Sequence, residues 1–366
     1  MNSAEASNRI ARRLRHFREH RGLTQDEVAE LLGFNDRQTL SDLEGGKRRI
    51  TPDELVAATS ALGVSIDDLT DPYRLVGEGG FSFRVEPGAE DCVAAFEERA
   101  GRLIAVFREL RARSGQPVRR LGHRLELSVQ SSFEDAAAAA EYIWNEWDLG
   151  DVPAKRLEEA LERHLDALVL YVDAPNGLSG AASMLPGLQT ILINRNESKA
   201  RRAFDLAHET FHILTWDAMP PAHIEAPETV RRKGNRVEQL ANAFAAALLM
   251  PAQLVNEWWE RHSNKELSKL VDTTARHFMV SPSALKFRLI NLGLVSKRLL
   301  DQLVTLSSAS SDERPRLFSA RFVQLVATAV DGGQLSLRRA AGLLGLTVGG
   351  FVGLCREYGQ SLAYEA

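Results

Sequence analysis

The stretch "DLAHETFHIL", Asp205 to Leu214, restricts the fold more than any other part of the chain. Ala203, Phe204, Ala207, Phe211 and Leu214 recur at helical spacing and mark the buried side of a helix. His208 and His212 stand at i and i+4, so both imidazoles project from one face, about one turn apart. That spacing lets both reach one tetrahedral ion at about 2.0–2.1 Å. Glu209 is rotated by about 100° from His208. It lies next to such a site but is poorly placed as a ligand, and it suits a general base.

A catalytic ion of this kind keeps three protein ligands and one open position. The next strong helical segment, "NRVEQLANAFAAALLMP", is apolar over almost its whole surface and is therefore buried. A carboxylate buried there must be paired or bind a metal. Glu238 is that carboxylate, 26 residues after His212, and Asn242 stands one turn later on the same face. Asn242 is a candidate to hold a ligand histidine by its free ring nitrogen. Before the motif, "DALVLYVD" (Asp166–Asp173), "GLSGAASM" after a Pro-Asn-Gly turn, and "QTILINRN" (Gln189–Asn196) read as strands of a small sheet. Helices are expected over Asp91–Arg113, Phe133–Trp147 and Lys155–His164, and "VGEGGFSFRVEPGAED" reads as a linker.

In "RRAFDLAHETFH", "VEQLANAFAAALLMP" and "GLSGAAS…ILINRN" the chain resembles the ImmA/IrrE family of metallopeptidases. A weaker likeness continues through "FMVSPSALKFRLINLGLV". The resemblance implies a zincin-like domain with a small sheet. Its implied zinc ligands are His208, His212 and Glu238, with Mn2+ as the alternative to Zn2+, and its implied base is Glu209. His223, on the proline-rich loop "MPPAHIEAPE", is a lesser candidate for oxyanion stabilisation and reads first as a surface histidine.

The first 72 residues read as a bundle of short helices. Ile10, Leu14 and Phe17 share one face, and Gly22 stops that helix. Thr24 with Glu27 forms a capping box. Gly33 interrupts, a second short helix runs from about Asp36 to Leu43, and Pro52 opens another. Two short helices around a tight glycine turn are the helix-turn-helix pattern. Through "LTQDEVAELLGF" and "LSDLEGGKR" the segment resembles the Cro/CI-type (XRE) DNA-binding domains. The resemblance puts the second helix in the major groove of double-stranded DNA. Arg37, Gln38 and Thr39 would face base edges, and Gln25, Lys47, Arg48 and Arg49 the phosphates. The segment holds 10 Lys/Arg against 13 Asp/Glu, so the argument rests on local basic clusters, Arg9–Arg21 and Lys47–Arg49.

Net charge over 366 residues is −4, so no global field draws the chain to nucleic acid or anionic lipid. Cys92 and Cys355 form no metal-like spacing and fit a reducing cytoplasm. The arginine-rich N-terminus has no apolar signal core, and the run Leu240–Val255 is too broken to span a bilayer. After the Ser-rich linker "SSASSDERP", the stretch "QLSLRRAAGLLGLTVGGFVGLCREYG" again looks like a helix-turn-helix pair, for packing, dimerisation or a second DNA contact.

The expected architecture is α+β and mostly helical. Residues 1–72 form an all-α helix-turn-helix domain, 73–300 a metallopeptidase domain and 301–366 a helical extension. The expected function is a cytoplasmic, homodimeric DNA-binding regulator. Its zinc endopeptidase would cut a protein substrate, a transcriptional repressor or similar regulator, to induce stress or mobile-element genes. The alternatives are a non-catalytic transcription factor that senses a metal or small ligand, and an antitoxin-like autorepressor.

Overall fold

Helices dominate the computed structural model, which describes residues 3–115, 124–225, 235–301 and 314–363. The chain divides into two compact units. One holds residues 1–78, 97–117 and 324–366, the other 79–96 and 118–323.

The first unit begins with α1 (Ser3–His20), α2 (Gln25–Leu31), α3 (Arg37–Glu44), α4 (Pro52–Leu62) and α5 (Ile66–Thr70). Polar caps set where these helices start. Thr24, Thr51 and Ser65 each close a capping box, and the Asp36 carboxylate accepts from the Thr39 N–H. Leu14, Val28, Ala29, Leu40, Leu43, Ala58, Leu62 and Leu69 fill the core.

Three arginines of α1 point inward. Arg13 is fully buried and donates to the carbonyls of Asp68, Asp71 and Arg74. Arg18 makes two bonds to the Glu44 carboxylate, at 2.7 and 3.1 Å. Arg9 pairs with Glu109 at 3.0 Å. Three of the six arginines in the run Arg9–Arg21, expected to be a basic cluster for DNA, are thus structural, lying against carbonyls and carboxylates of the same unit.

In the second unit β1 (Gly80–Val85) precedes α6 (Val93–Arg113), whose later part belongs to the first unit. The segment expected to be a linker is therefore a sheet strand. The alternation Phe81, Phe83, Val85 is what its flanking glycines and proline obscure. Then come α7 (Phe133–Glu146), α8 (Leu157–Leu165), β2 (Leu168–Val172), β3 (Leu178–Leu185), β4 (Leu188–Asn194), α9 (Lys199–Thr215), β5 (Ile224–Glu225) and α10 (Arg236–Leu249). The sheet order is β2-β4-β3-β1-β5. β3 and β4 form an antiparallel hairpin, β2 runs parallel to β4, and β1 is antiparallel to β3. Helix α9 packs on this sheet and α10 packs between α9 and α7. Phe211 and Phe244 meet there, ring centres 5.5 Å apart.

Beyond α10 lie α11 (Ala252–Arg261), α12 (Leu267–Phe278), α13 (Pro282–Asn291) and α14 (Lys297–Asp301). Pro251 separates α10 from α11 and divides the long apolar run. Buried Arg288 of α13 donates to the Met250 carbonyl and to Glu141. The Ser-rich linker lies mostly outside the described residues. No single helix among the described residues is long and apolar enough to cross a membrane.

The chain ends with α15 (Ala320–Asp331), α16 (Leu337–Leu343) and α17 (Val348–Glu357). The turn after α16 repeats the turn after α2. Leu32, Gly33 and Phe34 N–H groups donate to Val28, Glu30 and Ala29; Leu344, Gly345 and Leu346 donate to Ala340, Gly342 and Ala341. Gly33 (φ 71°) and Gly345 (φ 70°) take the left-handed conformation that ends each helix. Helix α17, however, opens with Val348, Gly349 and Gly350, which offer no side-chain donor to a base edge.

All five tryptophans, at 144, 147, 216, 258 and 259, lie in the second unit, so selectively excited tryptophan emission reports on that unit alone. Phe244→Ala should destabilise the unit by about 3–5 kcal/mol, the usual cost of emptying a buried aromatic site. Denaturant unfolding followed by tryptophan emission measures it, with exposed Val56→Ala, in the other unit, leaving the transition unmoved.

Candidate metal centre and nucleic-acid interface

Helix α9 starts where the Ser198 hydroxyl accepts from the Arg201 N–H, and α10 starts where Asn235 caps Val237. From Arg202 to Thr215 nearly every residue of α9 is buried. Its polar groups therefore need partners inside the protein. Thr210 and Thr215 donate back to the carbonyls of Leu206 and Phe211. Asp205 accepts from Arg84 at 3.1 Å and from Arg201 at 3.0 Å. Burial pushes the Asp205 carboxyl up, and the two arginines oppose it.

His208 and His212 are completely buried, and Glu238 of α10 is 5% exposed. Their donor atoms converge. His208 Nε2 lies 3.1 Å from His212 Nε2 and 3.2 Å from Glu238 Oε2, and His212 Nε2 lies 3.3 Å from Glu238 Oε1. Ligands about 2.05 Å from the centre of a tetrahedron are about 3.3 Å apart, so this donor set fits a tetrahedral zinc without rearrangement. Among the described residues these three form the one group of three or more His, Cys, Asp or Glu side chains able to share an ion. Glu209 stands outside the triangle, buried beside β3, where a Cβ on Gly180 would lie 3.5 Å from its Oε1.

Burial, and after it the charge of Arg84, hold His208 far below its ordinary range, at about 3, against the pull of Glu238. The ring is thus neutral at pH 7, the form that ligates metal. Asn242 Oδ1 lies 3.1 Å from His208 Nδ1. Nδ1 therefore carries the proton, and the Nε2 lone pair faces the other two donors. Burial alone would raise the Glu238 carboxyl, but the two histidine rings set against it oppose that and bring it below the usual carboxylate range. His223 lies away from the triangle, its Nδ1 3.3 Å from the Phe81 carbonyl oxygen and its ring edge-on to Phe83.

In the first unit, Arg37, Gln38, Lys47 and Arg49 are exposed. Gln38 donates to Asp42 at 2.9 Å, and Lys47 lies 3.6 Å from the same carboxylate. The Thr39 hydroxyl donates to the capping Asp36. Arg48 pairs with Glu54 and stacks over Phe34, 5.4 Å from the ring centre. Gln25, expected to meet a phosphate, donates instead to Glu44, joining Arg18 on that carboxylate. Arg12 and Arg15, members of the expected basic cluster Arg9–Arg21, keep most of their side chains in solvent. Their position on the outer face of α1 follows from the helical period.

Two family models match the chain. Residues 9–72 match a helix-turn-helix domain, and residues 162–290 match the IrrE N-terminal-like domain, a peptidase family. The second match takes in β2, β3, β4, α9 and α10 but not β1. No curated protein matches the chain.

The purified protein should bind about one metal ion per chain, and His208→Ala with His212→Ala should abolish it. Asn242→Ala should weaken binding by about 10–100-fold, the usual cost of losing a partner that orients a ligand. Metal analysis after dialysis against graded chelator concentrations measures both. Wild-type occupancy in the double variant would place the metal elsewhere.

Proposed function

Because the chain joins a helix-turn-helix domain to an IrrE-type peptidase domain, we propose that it is a DNA-binding regulator that acts by zinc-dependent cleavage of a partner protein. The observation that carries this reading is the division of labour on α9. Two histidines share the donor triangle with Glu238, while Glu209 on the same helix is left out of it. A site built only to hold or sense an ion has no use for a buried fourth ionisable group in that place.

His208, His212 and Glu238 would hold the zinc. The chemistry such an ion supplies when bound is Lewis-acid polarisation of the scissile carbonyl and acidification of water. Asn242 keeps His208 in the ligating tautomer. Glu209 takes a proton from the attacking water and returns it to the leaving amine, so that no free amine anion has to form. The substrate is a repressor or similar regulatory protein, as the family resemblance implies. Its loss would induce stress or mobile-element genes. The first domain acts as one half of a homodimer on paired half-sites of double-stranded DNA. Arg37 and Gln38 read base edges, Thr39 approaches them, and Lys47, Arg48 and Arg49 meet phosphates. Gln25 would act through Glu44 by fixing the recognition helix. These events belong in the cytoplasm.

Glu209→Gln keeps the size of the side chain and removes the base. Cleavage of the partner should fall by about 10²–10⁴-fold, with metal content unchanged. Immunoblots of the candidate repressor, beside a reporter of its promoter, read this in wild-type, Glu209→Gln and His208→Ala strains. A promoter still regulated over an uncut repressor in the Glu209→Gln strain would sink the peptidase reading and favour a metal-dependent sensor.

The DNA face has its own test. Arg37→Ala should relax sequence preference, whereas Lys47→Ala should weaken all sequences alike and reduce the salt slope by about 0.9. Titration of specific and random duplexes at several salt concentrations separates the two. Equal losses on both duplexes from both variants would discredit α3 as the reading helix.

A further inference from the structure

The metal centre is enclosed. His208 and His212 are fully buried and Glu209 is 1% exposed, so the described residues leave a polypeptide amide no open path to them. The element beside Glu209 is β3, through Gly180. β4 covers one edge of β3, and β1 covers the other. Pairing with β1 is antiparallel, from Gly80 opposite Met184 to Arg84 opposite Gly180. An extended peptide adds to a sheet through an edge of this kind, with main-chain bonds giving affinity and alternate side chains giving choice.

Three observations separate β1 from the rest of the sheet. It lies outside the residues that match the peptidase family. It belongs to an excursion, residues 79–96, whose flanking segments both belong to the first unit. And its Arg84 faces Gly180, which has no side chain in the way, and reaches the fully buried Asp205. Asp205 sits one turn before His208 and Glu209 on α9.

We propose that β1 is a built-in stand-in for the substrate: a substrate segment pairs antiparallel with β3 in place of β1, and Asp205 selects a basic residue opposite Gly180. The proposal rests on the peptidase reading and names its substrate class, an extended segment rather than a folded surface or a helix. Paired residues in an antiparallel ladder point to the same side of the sheet. The residue opposite Gly180 therefore faces α9, and the one two positions before it, opposite Ala182, must be small like Ser82. Residues between and beyond these face the other side, where Phe81, Phe83 and Val85 stand, and apolar side chains suit them. Removing β1 without replacement would leave Asp205 with Ser179 and, as its cation, the partly exposed Arg201, and a buried carboxylate short of a cation is costly. An incoming arginine or lysine restores that pair.

The probe is a fluorescein-labelled peptide copying Gly80–Glu86, with a second copy carrying Glu in place of its arginine. Binding to the full chain is read by anisotropy in a Glu209→Gln background, so that no cleavage is required. The Phe83 N–H bonds to His223 on the β5 side, so the Ser82 N–H faces β3. Ser82→Pro removes that bond and should tighten binding of the first peptide by 10-fold or more, with the charge-reversed peptide at least 10-fold weaker. A second pair of variants, Phe81→Cys with Ser183→Cys, joins residues directly opposite in the ladder. Oxidised, this chain should not bind the peptide; reduced, it should. Equal binding by locked and unlocked chains, no binding by the reduced chain, or equal binding of both peptides would overturn the proposal. If Ser82→Pro does not fold, the disulfide pair decides alone. Peptide binding without cleavage by any form carrying Glu209 would count against the peptidase reading and leave strand exchange standing.

Discussion

A carboxylate cannot be enclosed between two apolar helices unless something answers its charge, and that requirement organises the second unit. Glu238 on α10 meets His208 and His212 on α9, all three buried. The contact fixes how far the two helices can slide or rotate against each other, since one turn of slip would move an imidazole about 5.4 Å. Around it the packing is apolar and unforgiving. Phe211 meets Phe244, and α7 closes over α10. Asn242 adds the last restraint by holding the ring of His208. A helix pair pinned by packing on one side and by convergent ligands on the other is a rigid support, which a site needs if its donors are to stand ready for an ion.

In the first unit buried arginines do comparable work with hydrogen bonds instead of metal-ligand geometry. Arg13 gathers three backbone carbonyls around the end of α5, and Arg18 ties α1 to the last turn of α3 through Glu44. Fixing α3 in this way matters for any helix that must present a defined edge to DNA. It also removes these cations from the surface field. What remains for a duplex is a short set of exposed groups, Arg37, Lys47 and Arg49 foremost. Such a surface gains little from long-range attraction and depends on the fit of its contacts.

The parts of the fold that were legible are those written in local period. The HExxH helix, the buried segment carrying Glu238 and Asn242, the three strands before them and the capped helices of the first unit all follow from spacings within a few residues. What escaped depends on partners far away. β1 pairs with a strand about 100 residues further on, and its glycines and proline read as punctuation. The inward arginines of α1 read as a basic cluster because Glu44 and Glu109 lie outside any local window. The bond from Gln25 to Glu44 was hidden for the same reason. The alternation in "FSFRV" was the available signal for β1, and its brevity hid it.

The position of β1 in the chain has a consequence for how the molecule is made. β3 and β4 are neighbours in sequence and can form their hairpin as soon as both exist. β1 leaves the ribosome long before them and has no partner until β3 arrives. Contacts of such wide separation form late, because the chain between them must first be brought to order. The hairpin, α9 and α10 thus have a local route to assembly that β1 does not share. In the order of folding, the strand made first is the one that docks last, onto a sheet whose edge has until then been open.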